Sequence, residues 1–369
     1  MSAKTCVVPV EMLHKFMEDV FLHLGVPAED AKISAEVLIT SDLRGIESHG
    51  IGRLKMYYDR IKSGQHEPLT KYEIIRESPT TATVDGHHGM GMVIGYKSMR
   101  LAIEKARKYG MGSVAVRNST HFGIDGFYPL MAIKENMIGM SFTNARPSIC
   151  PTFGVQPMLG TNPIAFGAPT DEECPFLFDA ATSIVQRGKI EVLSREEKPA
   201  KEGWVTGQRG EFLTDPNEIL SWLTKDKAAL LPLGGAGEDL GGHKGYGLAT
   251  MVEILSGALQ TGAFLQSLTG LDKDGGKARF QVGHFFMAMD IEAFCPLEDF
   301  KHSTGQIIRD LRNSTKAPGQ KRIYTAGEKE FENTKRIRKE GVPVVENLQK
   351  EIRVIVHELG LKDYPFPFL

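Results

Sequence analysis

The stretch "TATVDGHHGMGMVIGYKSM", residues 81–99, decides the fold. It reads as a strand ending at Val84, a glycine-rich turn and a helix starting near Met92. That outline belongs to dinucleotide-binding folds, where glycines let the pyrophosphate approach a helix N-terminus. The spacing breaks the pattern. Gly89, Gly91 and Gly95 give GxGxxxG instead of GxGxxG. The next strand, "GSVAVRN", closes on Arg117 and Asn118, where the fingerprint wants an acidic side chain. A Rossmann variant for NADP is one reading. A tight strand-to-helix turn explains the glycines with fewer demands, and it is preferred.

The first 65 residues read helical. "VEMLHKFMEDVFLHLG" carries Leu13, Phe16, Met17, Val20, Phe21 and Leu24 at helical spacing, and Gly25 stops it. "PAEDAKISAEVLITSDL" follows, with Pro27 suited to a first turn. From about Tyr72 short strands ("YEIIRES", "GSVAVRN", "IGMSFTN", "FLFDAAT", "HFFMAMDIEAF") alternate with helical segments. That alternation predicts an α/β fold. The Pro/Gly/Asn-rich segment at residues 146–169 is expected to be a long functional loop. Helix returns in the last third, ending in "PVVENLQKEIRVIVHELG".

A chain of 369 residues is long enough for about two domains. Its net charge of −2 gives no overall basic bias toward nucleic acid or anionic membrane. No apolar run approaches a membrane span, and the start lacks the order of a signal peptide. Cys6, Cys150, Cys174 and Cys295 are far apart and form no CxxC, which predicts reduced thiols in a cytoplasmic protein. There is no P-loop, "DKDGG" lacks a calcium-loop glutamate, and His87-His88 has no metal-pair spacing.

"RGIESHGIGRLKMYYDRIKSG", residues 44–64, carries the chemistry. With Ser48 as helix cap, His49 falls in the first turn, with Arg53 and Tyr57 at i+4 and i+8 on one face. The helix dipole and Arg53 then both disfavour imidazolium, which suits reversible proton transfer. Arg53 is placed to fork onto a carboxylate. The plainer account is a capping histidine with a surface arginine. A second histidine weighs against it: "VRNSTHFG" sets His121 just past a strand end. "GGHKGYGLAT" sets Lys244 among glycines before a helical segment, where an anion is favoured or a capping loop suffices. "FDAATS" puts Asp179 at a strand end, within reach of ribose hydroxyls.

In order along the chain, "SHGIGRL", "NSTHFG", "LGTNPIAFGAP", "FDAATS", "RGKIE", "GGHKGYGLA" and "AGEKE" resemble the non-Rossmann malate/L-lactate dehydrogenase superfamily. The matches lie between residues 44 and 330, most like a malate dehydrogenase. The resemblance implies a mixed-sheet α/β core (residues 71–304) and a helical domain from both chain ends (1–70 with 305–369). It implies a homodimer that binds NAD or NADP without the fingerprint; the residues themselves assemble no His/Asp/Glu metal set, so no metal is expected. His49 is then the proton donor/acceptor, His121 a second active-site histidine, and Arg53 and Tyr57 line the substrate pocket. Asp179, Ala180, Ala181, Thr182, Ser183, Ile184, His243, Lys244, Gly327, Glu328 and Lys329 match cofactor-contacting stretches. The implied reaction is hydride exchange between nicotinamide and a small 2-hydroxy/2-oxo acid, first of all malate/oxaloacetate. Rival readings are a cyclic imine carboxylate reductase and a non-catalytic dinucleotide-binding protein. Gly237–Leu240 departs from shorter members of that superfamily, and Glu238 and Asp239 have no assigned role.

Overall fold

A computed structural model describes residues 5–272 and 274–369. The amino-terminal arm runs through β1 (Cys6–Val8), α1 (Val10–His23), α2 (Ala28–Leu43), a 3₁₀ turn (Ile51–Arg53) and α3 (Leu54–Lys62). Then come β2 (Glu73–Glu77), β3 (Thr81–Asp85), α4 (Gly91–Tyr109), β4 (Met111–Ser119), α5 (Phe127–Lys134), β5 (Met137–Thr143), β6 (Ile164–Ala168) and β7 (Phe176–Ala180). A smaller region follows with α6 (Arg187–Arg195), β8 (Val205–Gly207), α7 (Pro216–Thr224), β9 (Ala228–Leu230) and α8 (Gly242–Glu253), which continues as a π-turn through Ala258. The chain closes with β10 (Val282–Asp290), α9 (Leu297–Asn313), α10 (Glu328–Glu340), β11 (Val342–Val344) and α11 (Glu346–Leu359).

Seven strands form one sheet in the order β2-β3-β4-β10-β5-β6-β7. Only β3 and β4 pair in parallel, and every other neighbour is antiparallel. The sheet is therefore mixed, and a doubly wound parallel sheet is excluded. Helix α4 is the crossover between β3 and β4. It buries Met92, Val93, Met99, Ala102, Ile103 and Ala106 against the sheet and stops at Gly110, whose φ of 83° is left-handed.

Gly89, Gly91 and Gly95 now have a packing explanation. A Cβ on Gly91 would stand 2.2 Å from the Thr120 carbonyl oxygen and 2.5 Å from that of His121. A Cβ on Gly95 would stand 2.7 Å from the Tyr128 ring, and one on Gly89 would crowd Thr70. These positions admit neighbouring protein and not a pyrophosphate.

The two chain ends meet. β1 pairs with β11, and Phe16 of α1 packs edge-on against Tyr364 and Phe366, each at 5.1 Å. One apolar cluster runs from Val8 through α1 to α4 and the sheet to Phe368. A second cluster, including Ile149, Ile190, Val205, Ile219, Leu230 and Ala249, fills the region of α6, α7 and α8.

Three details differ from expectation. The segment expected to be loop throughout contains β6, because only its last residues pair with β5 and β7. The three-residue strands β1, β8, β9 and β11 are too short to show a period of two. Pro27 is the cap residue before α2, one place earlier than expected. The four cysteines are free, as expected. No helix among the described residues is long and apolar enough to cross a membrane.

Candidate active site

Residues 44–64 fold differently from the simple capped helix that their spacing suggests. Residues 47–50 form a turn, a 3₁₀ turn carries Ile51 to Arg53, and α3 begins at Leu54. Ser48 does not cap the helix; its hydroxyl meets His49 Nδ1 at 2.8 Å. The capping role passes to Asp42 of α2, whose Oδ2 accepts the Ile51 N–H at 2.8 Å. Gly50 makes room for it, since a Cβ there would lie 1.9 Å from the Asp42 carboxylate. His49 thus sits before the helix, and the dipole argument for its acidity falls.

The acidity is nevertheless low, for another reason. Burial first, and then the Arg53 guanidinium, lower His49 to about 4. His121 lies beside it, ring stacked on ring with centroids 5.5 Å apart. Burial pulls His121 well below its ordinary value, with His49, Arg53, Arg60 and His66 adding to the effect. Both imidazoles are neutral at pH 7.

Tyr57, fully buried on α3, fixes the second ring. Its hydroxyl is 2.5 Å from His121 Nδ1, and the Gly123 N–H donates to the same nitrogen at 3.3 Å. A backbone N–H can only donate, so Nδ1 holds the lone pair and Nε2 carries the proton. Burial also raises the Tyr57 phenol, so it stays protonated. Arg53 is anchored through Nε, which donates to the Ser48 carbonyl at 2.6 Å. Its two terminal nitrogens have no protein partner among the described residues. The cluster therefore presents one imidazole N–H, one second imidazole and one open guanidinium fork.

A cleft of about 960 Å³ adjoins this cluster. Ser48 and Arg53 line one part of it, and Asp179, Ala180, Ala181, Ser183 and Ile184 line another. Asp179 reaches the cleft, but burial of its carboxyl, with Glu330 adding to it, raises it to about 6. Its Oδ2 takes the Gly126 N–H at 2.8 Å. Thr182 points inward, donating to the carbonyls of Thr161 and Asn162.

The remaining sequence-nominated residues lie elsewhere. His243 and Lys244 are exposed in the first turn of α8. Lys244 lines a separate recess with Glu238 and Asp239, and Leu233 borders both spaces. The glycines around it mostly meet backbone: a Cβ on Gly242 would touch the Gly235 oxygen, and one on Gly245 the Leu233 oxygen, each at 2.1 Å. Gly327 caps α10 against Leu177 of β7. Glu328 is buried, accepting from the Thr325 N–H and from Arg322, with Arg312 beside it. Lys329 lies over the Tyr324 ring at 4.7 Å.

Lys189 and Arg195 of α6 also line the cleft and were not singled out as site residues. Neither makes an ion pair among the described residues, so both are open to phosphate. Their signal was the fragment "RGKIE", which holds Lys189. A dinucleotide fits this cleft in volume and in the chemistry of its walls: free cations on α6, an acceptor carboxylate on β7 and an end lined by Ser48 and Arg53.

A mixed sheet without the Rossmann order thus carries two neutral, stacked histidines and an open arginine beside such a cleft. The profile of the malate/L-lactate dehydrogenase family matches residues 8–353, and the chain belongs to that family. It is similar to malate dehydrogenase of Pyrococcus abyssi, 48% identical over 355 residues that cover 96% of this chain and 95% of the other. L-sulfolactate dehydrogenase of Methanocaldococcus jannaschii is 38% identical, covering 95% and 97%. The crystal structure of malate dehydrogenase from Entamoeba histolytica superposes with a TM-score of 0.93 at 45% identity, covering 97% and 99%. The chain is an enzyme of the 2-hydroxy acid dehydrogenase type.

Proposed function

We propose that this enzyme interconverts a small 2-hydroxy acid and its 2-oxo acid with NAD or NADP, malate and oxaloacetate being the pair expected first. The supporting observation is the His49–His121 stack beside the open Arg53 fork at the end of the cleft. Bound nicotinamide supplies the hydride acceptor or donor. Asp179 to Ile184 and Lys189 would hold the dinucleotide, with His243-Lys244 and Gly327 to Lys329 as outer contacts.

Arg53 grips the substrate carboxylate with its terminal nitrogens. His121 donates its Nε2 proton as a hydrogen bond to the oxygen on C2, in the tautomer that Tyr57 and Gly123 enforce. In oxidation His49, neutral above about pH 4, accepts the hydroxyl proton. In reduction it must first be protonated, and the anionic substrate favours that form. A homodimer belongs to the same reading.

The test is the absorbance of reduced nicotinamide, with NADH and NADPH each offered against oxaloacetate and a panel of 2-oxo acids. Cofactor-dependent turnover supports the reading. Tight cofactor binding with no turnover of any oxo acid would overturn it.

A further inference from the structure

Arg53, Tyr57 and Arg60 recur at i, i+4 and i+7 along the 3₁₀ turn and α3, so they share one stripe. The first two have roles in the proposed reaction, and the third has none. The Arg60 guanidinium lies 4.2 Å over the Phe280 ring and is partly buried. It makes no hydrogen bond or ion pair among the described residues. Its surroundings hold no carboxylate that favours its charge: Arg53 opposes it, and only the Tyr57 oxygen supports it. His66 stands beside it, 1% exposed, with neither ring nitrogen hydrogen-bonded. The His66 ring is 6.0 Å from Tyr57 and 5.9 Å, edge to face, from Phe280. Phe280 is thus a common platform for an unpaired cation and an unpaired buried imidazole.

Buried polar groups without partners are rare, and each asks for a cause. A purely mechanical clasp on Phe280 is a poor one. That segment is already tied down by Gln65, which donates to the Ala278 carbonyl, and by the Arg279–Glu67 ion pair. What Arg60 and His66 lack is a negatively charged partner. Arg53 answers one carboxylate on one side of the Tyr57–His121 pair. Arg60 lies further along the chain, past Tyr57 on α3.

We propose that Arg60, on its Phe280 platform and flanked by His66, binds a second anionic group at the far end of the substrate. The assignment rests on the dehydrogenase reading above and narrows it. The substrates are dianions: 2-oxo acids with a distal carboxylate or sulfonate. A monoanion such as pyruvate leaves Arg60 and His66 unmatched. The planar guanidinium serves either oxyanion with two parallel donors, while the neutral imidazole of His66 supplies one N–H.

The experiment measures kcat/KM for reduction of oxaloacetate, sulfopyruvate and pyruvate by the full chain, R60Q and R60K. Wild type should favour both or one of the dianions over pyruvate, and the two dianion arms identify the distal group. R60Q should lower the dianion-to-pyruvate ratio by ~10²-fold, as for one lost partner of a buried charged contact. R60K, which keeps the charge and loses the fork, should lower it by about tenfold; it carries the test if R60Q fails to fold. A wild type that prefers pyruvate sinks the proposal, and so does a ratio unmoved in the variants while oxaloacetate is still reduced. If no 2-oxo acid is reduced at all, the dehydrogenase reading fails first and this assignment falls with it.

Discussion

His49 and His121 act as a pair, and their shared environment sets the pH behaviour. His49 adds to the lowering of His121, so the limbs of a pH profile belong to both together. Because His49 is held near 4, its lone pair is available across the neutral range. The kcat/KM for hydroxy-acid oxidation should therefore stay level from pH 8 down to about 5 and fall only below that. Reduction should behave oppositely, rising as pH falls, because it needs the protonated ring. An oxidation limb at the ordinary histidine value near 6.5 would show that neither ring is tuned as described. H49A should lower kcat by ~10²–10⁴, the usual worth of a proton-transfer group. H121N should mainly raise KM, since it removes a hydrogen bond to substrate; steady-state kinetics of both variants decide it. A larger kcat loss in H121N would exchange the two roles.

At the scale of elements, the glycine turn before α4 ties fold to site. Gly91 lets the first turn of α4 lie against the carbonyls of Thr120 and His121, and the Gly91 N–H donates to Thr120 Oγ1 at 2.9 Å. G91A should cost roughly 1–3 kcal/mol, as overpacking does, and should also displace the His121 loop. A kcat drop of at least tenfold together with a lower urea midpoint is the expected pair of results; lost stability with full kcat would show that the loop absorbs the methyl. Helix α6 and helix α8 compete as the phosphate site. K189A should weaken cofactor binding more than K244A, because Lys189 lines the large cleft and Lys244 lines a separate recess with two acidic neighbours. Titration of protein fluorescence with NADH and NADPH measures both, and the reverse order would move the pyrophosphate to α8. The sequence made much of this legible. Helices such as α1, α4 and α11 carry clear periodicity, and His49, Arg53, Tyr57 and His121 did converge. What was not legible depends on contacts between distant residues. Asp42 replaces Ser48 as the cap, Lys189 reaches the cleft only through the placement of α6, and Arg60 gains meaning only once Phe280 folds over it.

Across the whole molecule, two sets of buried groups oppose each other in pH. His66 and His284 are buried neutral and lowered to about 3; His284 bonds Thr143 and Ser119 and stacks on Phe122 at 4.4 Å. Between pH 3 and 6.5 the unfolded chain binds their protons and the folded chain does not, so these two lose stability as pH falls. Asp42 has the opposite sign. Burial raises it to about 8, so between about pH 4 and 8 the folded state holds a proton that the unfolded state releases. Its contribution is full below pH 4 and declines as pH rises toward 8. Above about 6.5 the histidines no longer contribute, and the raised acids act alone. Stability should therefore peak near neutrality and fall on the alkaline side, Asp42 supplying about 1.4 kcal/mol per pH unit up to 8. The loss is local in origin: the Ile51 N–H favours an ionised Asp42, but the cost of burying that charge outweighs it. D42N keeps an acceptor for the Ile51 N–H and cannot ionise. Urea unfolding from pH 6.5 to 8 should show its slope reduced by about 1.4 kcal/mol per unit relative to wild type. An identical slope in the two proteins would mean that Asp42 is already charged at neutral pH, and that the Arg53 turn is built around a carboxylate instead of a carboxylic acid.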